Sequence, residues 1–328
     1  MRIRLSLIIF LIFSLLLSGC GLGAKKNMAS GPAEEMTEAK APKKLDREPV
    51  LKVYMTDTGQ IKSMPLEKYL AGVVAGEMKN DWPTQALAAQ AVLARTFTME
   101  IMARKKGQFK NGADISTDIH EAQAYSARDI NDKVLKAVKM TKGEVALYQD
   151  RYIHGWYFSS AGGITATAKE GLDYKWPEPE YIKVVKTPEE EKTVPREKKS
   201  WTAVFTLQQV ASAAEKLTGK RVGHLQEVKI SKKGPSGRAY LLTLKGSDRT
   251  VTVKAPELRI ALGSKKMKST LLTKIETAGG KVKISGRGFG HGVGMSQFGA
   301  YGLAKQNRDY KYILKHYFNG VTVKKLYN

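Results

Sequence analysis

Glycines at alternate positions, followed by a serine and a glutamine, most constrain what this chain can fold into. The stretch GRGFGHGVGMSQFGAYGLA covers residues 286–304 and begins with glycine at every second position. This spacing fits neither G-x-G-x-x-G nor the P-loop pattern, which excludes a phosphate-binding loop. Glycines that follow the strand-like KVKIS instead permit positive φ and close approach of another segment. We therefore expect a loop that presents His291, Ser296 and Gln297 at a surface.

The first twenty residues carry the features of an exported lipoprotein. MRIRLS supplies two arginines, LIIFLIFSLLL is an apolar run of ordinary signal length, and LSGC ends at Cys20. The run is too short to span a bilayer comfortably. Because LSGC is similar to the lipobox of bacterial lipoproteins, we predict a signal peptide over 1–19 and lipid on Cys20. The alternative is a short uncleaved anchor, and both place the protein on the extracytoplasmic face of the membrane.

The rest of the chain divides into a spacer and a large folded region. Residues 20–49 mix Ala, Pro, Gly, Lys and Glu without apolar periodicity, which predicts a disordered tether. Residues 50–328 suffice for a large core in one or two lobes, with 177–270 as a candidate second lobe or insertion. Cys20 is the only cysteine, which excludes a disulfide framework and a cysteine nucleophile.

The chain is strongly basic, with a formal net charge of +24 from 55 Lys and Arg against 31 Asp and Glu. Export makes nucleic acid an unexpected partner. Outside the membrane, anionic lipid headgroups and the cell wall are the available polyanions. General solubility explains the charge equally well.

Local patterns predict helices first, strands later and a helix last. Leu66, Leu70, Val73 and Glu77 recur at helical spacing, so Glu77 shares the apolar face and is partly desolvated. Ser63 and Pro65 indicate the start of this helix, and Pro83 the start of a second one. Paired strands turn at residues 150–151, 177–200 reads as a solvated loop, 201–217 as strand and helix, 225–245 as a hairpin, and 310–317 as a helix. This order predicts an α+β fold, in which the helix with Glu77 packs on a mixed or antiparallel β core beside a β-rich second lobe.

Glu77 is the strongest candidate for acid chemistry. Gly76 before it removes bulk and could let a substrate approach. Apolar neighbours would raise the pKa of Glu77 toward the range of a general acid. The alternative is that Glu77 only forms an ion pair with Arg95 or Lys79.

Other chemistries find less support in the residues. His291 and Ser296 could suggest a hydrolase, but G-x-S-x-G and a placed aspartate are missing. The five histidines include no H-E-x-x-H, which argues against a zinc protease. The run Trp156-Tyr157-Phe158 could stack on sugars, although core packing is the commoner role of such residues.

Four segments in order resemble the stage II sporulation protein D/amidase-enhancer (SpoIID/LytB) family. Residues 286–304 match its signature G-x-G-[FW]-G-H-G-x-G-M-S-Q-[YF]-G-A almost throughout, and that string is long and specific. LEKYLAGVVAGEM with AAQAVLARTF, YFSSAGGITATAKE with EYIKVV, and LRIALGSKKMKST agree as well. The resemblance covers roughly residues 50–328.

The resemblance implies a lytic transglycosylase that cleaves the bond between N-acetylmuramic acid and N-acetylglucosamine in peptidoglycan glycan strands. The family's acid lies in V-x-x-E-[MI], which matches Glu77. The product would be a 1,6-anhydro sugar, formed without water and without a cofactor. Among the matching positions, Arg95, His291, Ser296 and Gln297 would hold the glycan or orient the acid. The groove would be lined by Ser159, Ser160, Gly162 and Gly163.

One departure concerns metal. Some members of the family bind zinc through cysteines in a segment similar to DISTDIHEAQAYS, but Ser116 and Ala122 stand where those cysteines would fall. His120 alone is no zinc site. We therefore expect no structural zinc, and other packing must hold this segment.

The family also implies partners and a setting. Its sporulation member works in septal wall thinning and engulfment, beside an amidase that strips stem peptides and a membrane protein that anchors the complex. The lipobox departs from the simple transmembrane anchor expected there, which keeps a vegetative wall-remodelling paralogue open. A noncatalytic, glycan-binding amidase enhancer is the alternative of a different class.

Overall fold

The computed structural model describes residues 38–105, 109–189 and 192–328. These belong to one compact unit that covers residues 37–328. The predicted signal peptide and Cys20 lie outside the described residues. None of the helices in the described part is both long enough and apolar enough to cross a membrane.

The described residues form an α+β fold, as the sequence predicts. The helices are α1 (Leu66–Glu77), α2 (Thr84–Lys105), α3 (Asp132–Met140), α4 (Ala168–Leu172), α5 (Arg196–Lys199), α6 (Leu207–Thr218), α7 (Ala255–Ala261), α8 (Gln297–Lys305) and α9 (Tyr310–Tyr317). The strands are β1 (Val50–Met55), β2 (Gln60–Pro65), β3 (Ile115–Ser116), β4 (Glu144–Tyr148), β5 (Arg151–Tyr152), β6 (Tyr157–Phe158), β7 (Trp201–Thr206), β8 (Leu225–Lys233), β9 (Ala239–Gly246), β10 (Thr250–Lys254), β11 (Leu272–Ala278), β12 (Lys281–Gly286), β13 (Met295–Ser296) and β14 (Thr322–Lys325).

The first lobe is built around α2. Its alanines are small enough for other elements to approach closely, and α1, α3, α8, α9 and β4 all pack against it. Two small sheets, ordered β2-β1-β3 and β14-β4-β5, complete this lobe. The predicted turn at Asp150 joins β4 and β5 as an antiparallel pair.

Helix α1 follows the predicted apolar stripe. Leu66, Leu70 and Val73 are fully buried, and Glu77 is the last helical residue. The helix starts after Pro65, whereas Ser63, the expected cap, lies in β2. Glu77 therefore lies where the helix leaves the core, and it is partly buried.

The second lobe has its own core between residues 201 and 284. Two antiparallel sheets, β10-β9-β8 and β11-β12-β7, pack with α6 and α7 around it. Helix α6 begins with a capping box of Thr206 and Gln209, because each side chain bonds the other's backbone N–H. The lobe thus lies within 201–286 rather than the expected 177–270.

Two boundaries need correction. The sequence predicts a disordered tether up to residue 49. However, the backbone N–H of Ala41 donates to the Asp150 carbonyl, that of Leu45 donates to the Leu326 carbonyl, and Ala41 is buried. The folded unit therefore begins before Val50. The segment 177–200, expected to be solvated, instead buries Tyr181 and Val194 in the first core.

Candidate functional site

A cleft of about 550 Å³ lies between the two lobes and contains Glu77. The first lobe contributes residues of 119–123 and 155–159, and the second contributes Arg259, Ser264 and Lys265. Phe289, Gly290 and His291 of the glycine-rich loop lie between these walls. Among the described residues that line the cleft, Glu77 is the only carboxylate.

Two amide groups hold the Glu77 carboxylate. Ala124 N–H donates to Oε1 at 2.8 Å, and Gln297 Nε2 donates to Oε2 at 3.2 Å. Burial raises the pKa of Glu77, and these donors and Tyr157 partly oppose the shift because they favour the charged form. Burial at this position agrees with the raised pKa that the sequence predicts. The alternative, an ion pair of Glu77 with Arg95 or Lys79, is not formed among the described residues, and Arg95 pairs with Glu67.

Gly76 serves a different purpose from the one expected. A Cβ there would lie 2.7 Å from Tyr125 N and 2.8 Å from Ala124 C. The missing side chain therefore admits residues 124–125 rather than a substrate. This close approach is what brings the Ala124 N–H to Glu77.

Tyr157 connects the site to the interior. Its hydroxyl donates to Gln123 Oε1 at 2.8 Å, and Gln123 Nε2 donates to Thr98 Oγ1 at 3.1 Å. Burial raises the pKa of Tyr157 well above its usual value, and the nearby Glu77 adds to the shift. Tyr157 therefore stays a neutral phenol beside the acid.

His291 is fixed in one neutral form. Its Nδ1 accepts from Val293 N–H at 3.1 Å, so Nε2 must carry the proton that is donated to the Tyr157 carbonyl at 3.0 Å. Burial, with Arg259 and Arg238 nearby, lowers the pKa of His291 to about 3. His291 lines the cleft, is neutral near neutral pH, and holds the backbone carbonyl of Tyr157.

The glycine-rich loop has the predicted positive φ and close contacts. Gly292 has φ +91° and a Cβ there would meet the Arg238 guanidinium at 2.8 Å. Gly294 has φ +77° and a Cβ there would lie 2.1 Å from the Trp156 carbonyl oxygen. The loop passes directly over buried groups, and residues after it enter β13, which pairs with β6.

Ser296 and Gln297, expected at a surface, are buried at the start of α8. Ser296 Oγ accepts from Gly299 N–H as the N-cap and donates to Glu189 Oε1 at 2.6 Å. Gln297 faces the cleft and reaches Glu77. Neither Ser296 nor His291 contacts the other, so these residues do not form a hydrolase pair.

Glu189 is a residue that sequence reasoning missed. Ser160 Oγ donates to its Oε2 at 2.8 Å, and the backbone N–H groups of Ala161 and Gly162 also donate to its carboxylate. Ser160 is thus buried against Glu189 rather than lining the groove, and so is the Gly162 amide. No local pattern singles out Glu189, because its partners are distant in sequence.

The other predicted site residues separate into two groups. Ser159 lines the cleft, and its hydroxyl accepts from Lys198 Nζ at 2.9 Å. Gly163 bonds through its carbonyl to Thr187 N–H and is not among the cleft residues. Arg95 is fully buried, makes a bidentate pair with Glu67 at 2.9 and 2.6 Å, and is not among the residues that line the cleft.

The segment that would hold zinc is fixed by other contacts. Ser116 lies in β3 beside β1, its Oγ accepts from Asp118 N–H, and its carbonyl accepts from the Tyr69 hydroxyl. Neither Ser116 nor Ala122 supplies a thiolate, and within the described residues no cluster of three metal-ligating side chains occurs. The residues present do not fit a zinc ion.

Comparison with protein families matches two parts of the chain. Residues 54–148 match the family model SpoIID, described as "Stage II sporulation protein". Residues 181–294 match a domain of unknown function, DUF8618. The first match contains Glu77, and the second contains the whole second lobe.

Individual proteins are similar over more of the length. Stage II sporulation protein D of Bacillus subtilis is 30% identical over 83% of this chain and 78% of its own. An uncharacterized protein of Brachyspira hyodysenteriae is 31% identical over 80% of this chain and 67% of its own. The amidase enhancer of Bacillus subtilis is 29% identical over 77% of this chain, which spans only 40% of that protein. With this extent of similarity, and the matching signature around Glu77 and the glycine-rich loop, the chain belongs to the SpoIID family.

Proposed function

We propose that this protein is a lytic transglycosylase that cleaves peptidoglycan glycan strands to 1,6-anhydro-N-acetylmuramic acid products. The observation that carries the proposal is a single carboxyl group, Glu77, with a raised pKa in an interlobe cleft. Glycosidases that use water generally need a second carboxylate, whereas an intramolecular attack by a sugar hydroxyl can use one group for both proton transfers. The similarity to stage II sporulation protein D of Bacillus subtilis supports a role in sporulation.

Protonated Glu77 donates its proton to the glycosidic oxygen as the bond to C1 breaks. The resulting carboxylate accepts the proton of the C6 hydroxyl while that oxygen bonds to C1, which closes the anhydro ring and restores the acid. Ala124 N–H and the Gln297 amide stabilise the carboxylate between the two steps. The neutral Tyr157 phenol lies beside it as a further polar group.

The cleft walls suit a saccharide. Trp156 and Phe289 offer aromatic surface for sugar faces, and Ser159 offers a hydroxyl. The proposed substrate is the alternating glycan itself, either intact or already stripped of stem peptides by an amidase. An amidase and a membrane-anchor protein are the proposed partners, in septal wall thinning during sporulation.

The test is incubation of the full-length chain, in mild detergent, with purified peptidoglycan and with peptide-stripped glycan. Mass spectrometry should find anhydro-muramyl ends, and Glu77→Gln should lower their rate of formation at least about 100-fold. Glu197→Gln, the same change at an exposed position on α5, is the matched control and should leave the rate unchanged. Hydrated ends in place of anhydro ends would instead make the protein a lysozyme-like hydrolase.

The similarity to an amidase enhancer favours a second candidate, a noncatalytic glycan-binding protein that stimulates an amidase. Under that function, neither substrate is cleaved, and stimulation of an added amidase is the same for the wild type and Glu77→Gln. The variant Glu77→Gln therefore distinguishes the transglycosylase from the noncatalytic amidase enhancer.

We also propose that residues 1–19 are a lipoprotein signal peptide and that lipid on Cys20 holds the protein at the outer face of the cell membrane. The supporting feature is the LSGC sequence after an apolar run. Cys20→Ser should prevent cleavage and lipidation, which intact-mass measurement detects. An unchanged mass would contradict the lipid anchor.

A further inference from the structure

The second lobe places an unusual arginine in the cleft wall. Among the arginines of the described residues, three are nearly excluded from solvent: Arg95 is 0%, Arg238 1% and Arg259 9% exposed. A buried guanidinium is costly unless acceptors or a counter-charge compensate it. The partners of each guanidinium therefore indicate whether the fold compensates its charge or leaves nitrogens for a ligand.

Arg95 is fully partnered within the fold, and both outer nitrogens of Arg238 are, although the buried Arg238 Nε has no hydrogen-bond partner among the described residues. Arg95 pairs with the Glu67 carboxylate. Arg238 donates to the carbonyl oxygens of Ile164 and Ala161, both at 2.8 Å, and the charges of Glu170 and Glu189 favour its protonated form.

Arg259 lacks this compensation. Among the described residues its recorded hydrogen bond is from Nε to the Lys268 carbonyl at 3.2 Å, and no carboxylate lies within ion-pair distance. Burial lowers the pKa of Arg259 to about 10, with no carboxylate opposing the shift, so it stays charged at neutral pH. The Nε contact fixes the side chain and leaves the outer nitrogens for a ligand in the cleft.

The surroundings favour an anion there. Lys265 and Ser264, in the turn after α7, line the same wall, and the nearby His291 is held neutral. Glu77, the carboxylate of the cleft, has no ion pair with Arg259. A planar guanidinium with two free nitrogens matches a carboxylate in a bidentate manner.

We propose that Arg259, assisted by Lys265, forms a carboxylate subsite in the second lobe, which takes the free lactyl carboxylate of a muramic acid residue in the bound glycan. That carboxylate is free only where the stem peptide has been removed, because the peptide is joined to it as an amide. This inference rests on the proposed function for the identity of the polymer. Only every second sugar of that polymer carries a lactyl group. An anchor for this group would fix the register of the strand, so that alternate glycosidic bonds reach Glu77.

The test is a binding measurement in which no bond is cleaved. The Glu77→Gln chain, full length in mild detergent, is titrated with a tetrasaccharide of alternating N-acetylglucosamine and muramic acid, and with the methyl ester of its lactyl groups. The free acid should bind about tenfold more tightly than the ester. Arg259→Gln in the same background should reduce this preference to within about twofold and leave ester binding unchanged.

Lys266→Gln removes an exposed charge beside the subsite and should keep the preference, as the matched control. Arg259→Lys retains a positive charge and should retain part of the preference for the acid over the ester. Equal binding of acid and ester by the Glu77→Gln chain, which needs no change at Arg259, would overturn the proposal. So would a full preference in Arg259→Gln.

A stem-peptide carboxylate is the other source of the same chemistry. If it were the ligand, free acidic stem peptide would displace the tetrasaccharide from the Glu77→Gln chain, and the proposal would be wrong in its sugar. The binding result is also separable from the proposed function. If the Glu77→Gln chain prefers the acid to the ester but the wild type cleaves no glycan, the subsite is supported and the proposed transglycosylase activity is wrong. If the wild type cleaves glycan but the Glu77→Gln chain binds acid and ester equally, the activity is supported and the subsite is wrong.

Discussion

Two carboxylates, Glu77 and Glu189, are held by neighbouring residues of one short segment, yet their surroundings differ. Gln297 donates to Glu77, and Ser296 donates to Glu189. Glu77 receives one further amide and lies in the cleft, whereas Glu189 receives three further donors from the 160–162 loop. Both pockets depend on the same turn into α8.

Glu77 and Glu189 also differ in the number of hydrogen-bond donors that reach their carboxylates. Hydrogen bonds from N–H and O–H groups stabilise the charged form, and burial without enough of them favours the neutral form. Glu77, with few donors and substantial burial, has a raised pKa. Glu189 instead joins three chain segments, which is a structural role.

The largest effect should come from breaking both pockets at once. Gly294→Ala adds a Cβ 2.1 Å from the Trp156 carbonyl at φ +77°, so the turn that carries Ser296 and Gln297 must move. We expect a loss of more than about 3 kcal/mol in the free energy of unfolding, together with loss of glycan cleavage. Gly279→Ala, at φ +57° with open space around it, is the control and should cost only about 1 kcal/mol. Equal losses in urea denaturation would contradict the close contact.

Glu189→Gln should affect stability rather than chemistry. The amide that replaces one carboxylate oxygen cannot accept from the donors around it, so buried N–H and O–H groups lose their partner. We expect about 2–4 kcal/mol less unfolding free energy, measured in urea, against no change for Glu197→Gln. If cleavage per folded molecule fell as far as it does in Glu77→Gln, Glu189 would belong to the reaction and the contrast would fail.

Replacing Glu77, in contrast to replacing Glu189, should stabilise the protein at neutral pH. Because its folded pKa is raised above that of the unfolded chain, the folded state binds this proton more tightly. The stabilisation is present below the unfolded pKa of about 4.3, and it is lost as pH rises through the folded value. Glu77→Gln, which cannot ionise, should therefore have a higher Tm than the wild type at pH 7, with the gap closing toward pH 4. A gap that widens on acidification would contradict the raised pKa.

The smallest effect should be a shift of the pH profile. Gln297 lowers the pKa of Glu77 by donating to it, so Gln297→Ala should raise that pKa further. The alkaline limb of kcat/KM, where the general acid loses its proton, should then move to higher pH. Gln306→Ala, the same change at the exposed end of α8, should leave the limb in place. A limb that moves to lower pH would show that Gln297 does not bond the acid.

Much of the fold could be predicted from local patterns. Helix α1 follows the stripe of Leu66, Leu70 and Val73, and α9 covers the predicted residues. The hairpin of β8 and β9 and the capped helix α6 are also where the sequence indicates them. These elements could be found because periodicity, caps and turns act over a few residues.

The site was predicted less completely. Spacing predicts Glu77 on the apolar face of its helix and the positive φ of the glycine-rich loop. The resemblance implies that Arg95 holds the glycan or orients the acid, but Arg95 instead pairs with Glu67 in the core. Ala124, which donates to Glu77 through its backbone, has no side-chain chemistry that could reveal it. Such partners depend on contacts between segments 28 to 47 positions apart.

The sequence by itself determined most of the elements, the position of Glu77 at the end of α1 and the family, because each depends on neighbouring residues. The tertiary structure decided which of two adjacent residues, Ser296 or Gln297, donates to Glu189 and which donates to Glu77 in the cleft. It also decided that Arg259 lies in the cleft wall without a carboxylate partner in the described residues, while Arg95 has one. Burial and charge compensation are properties of the packed lobes, and they arise only when distant segments meet.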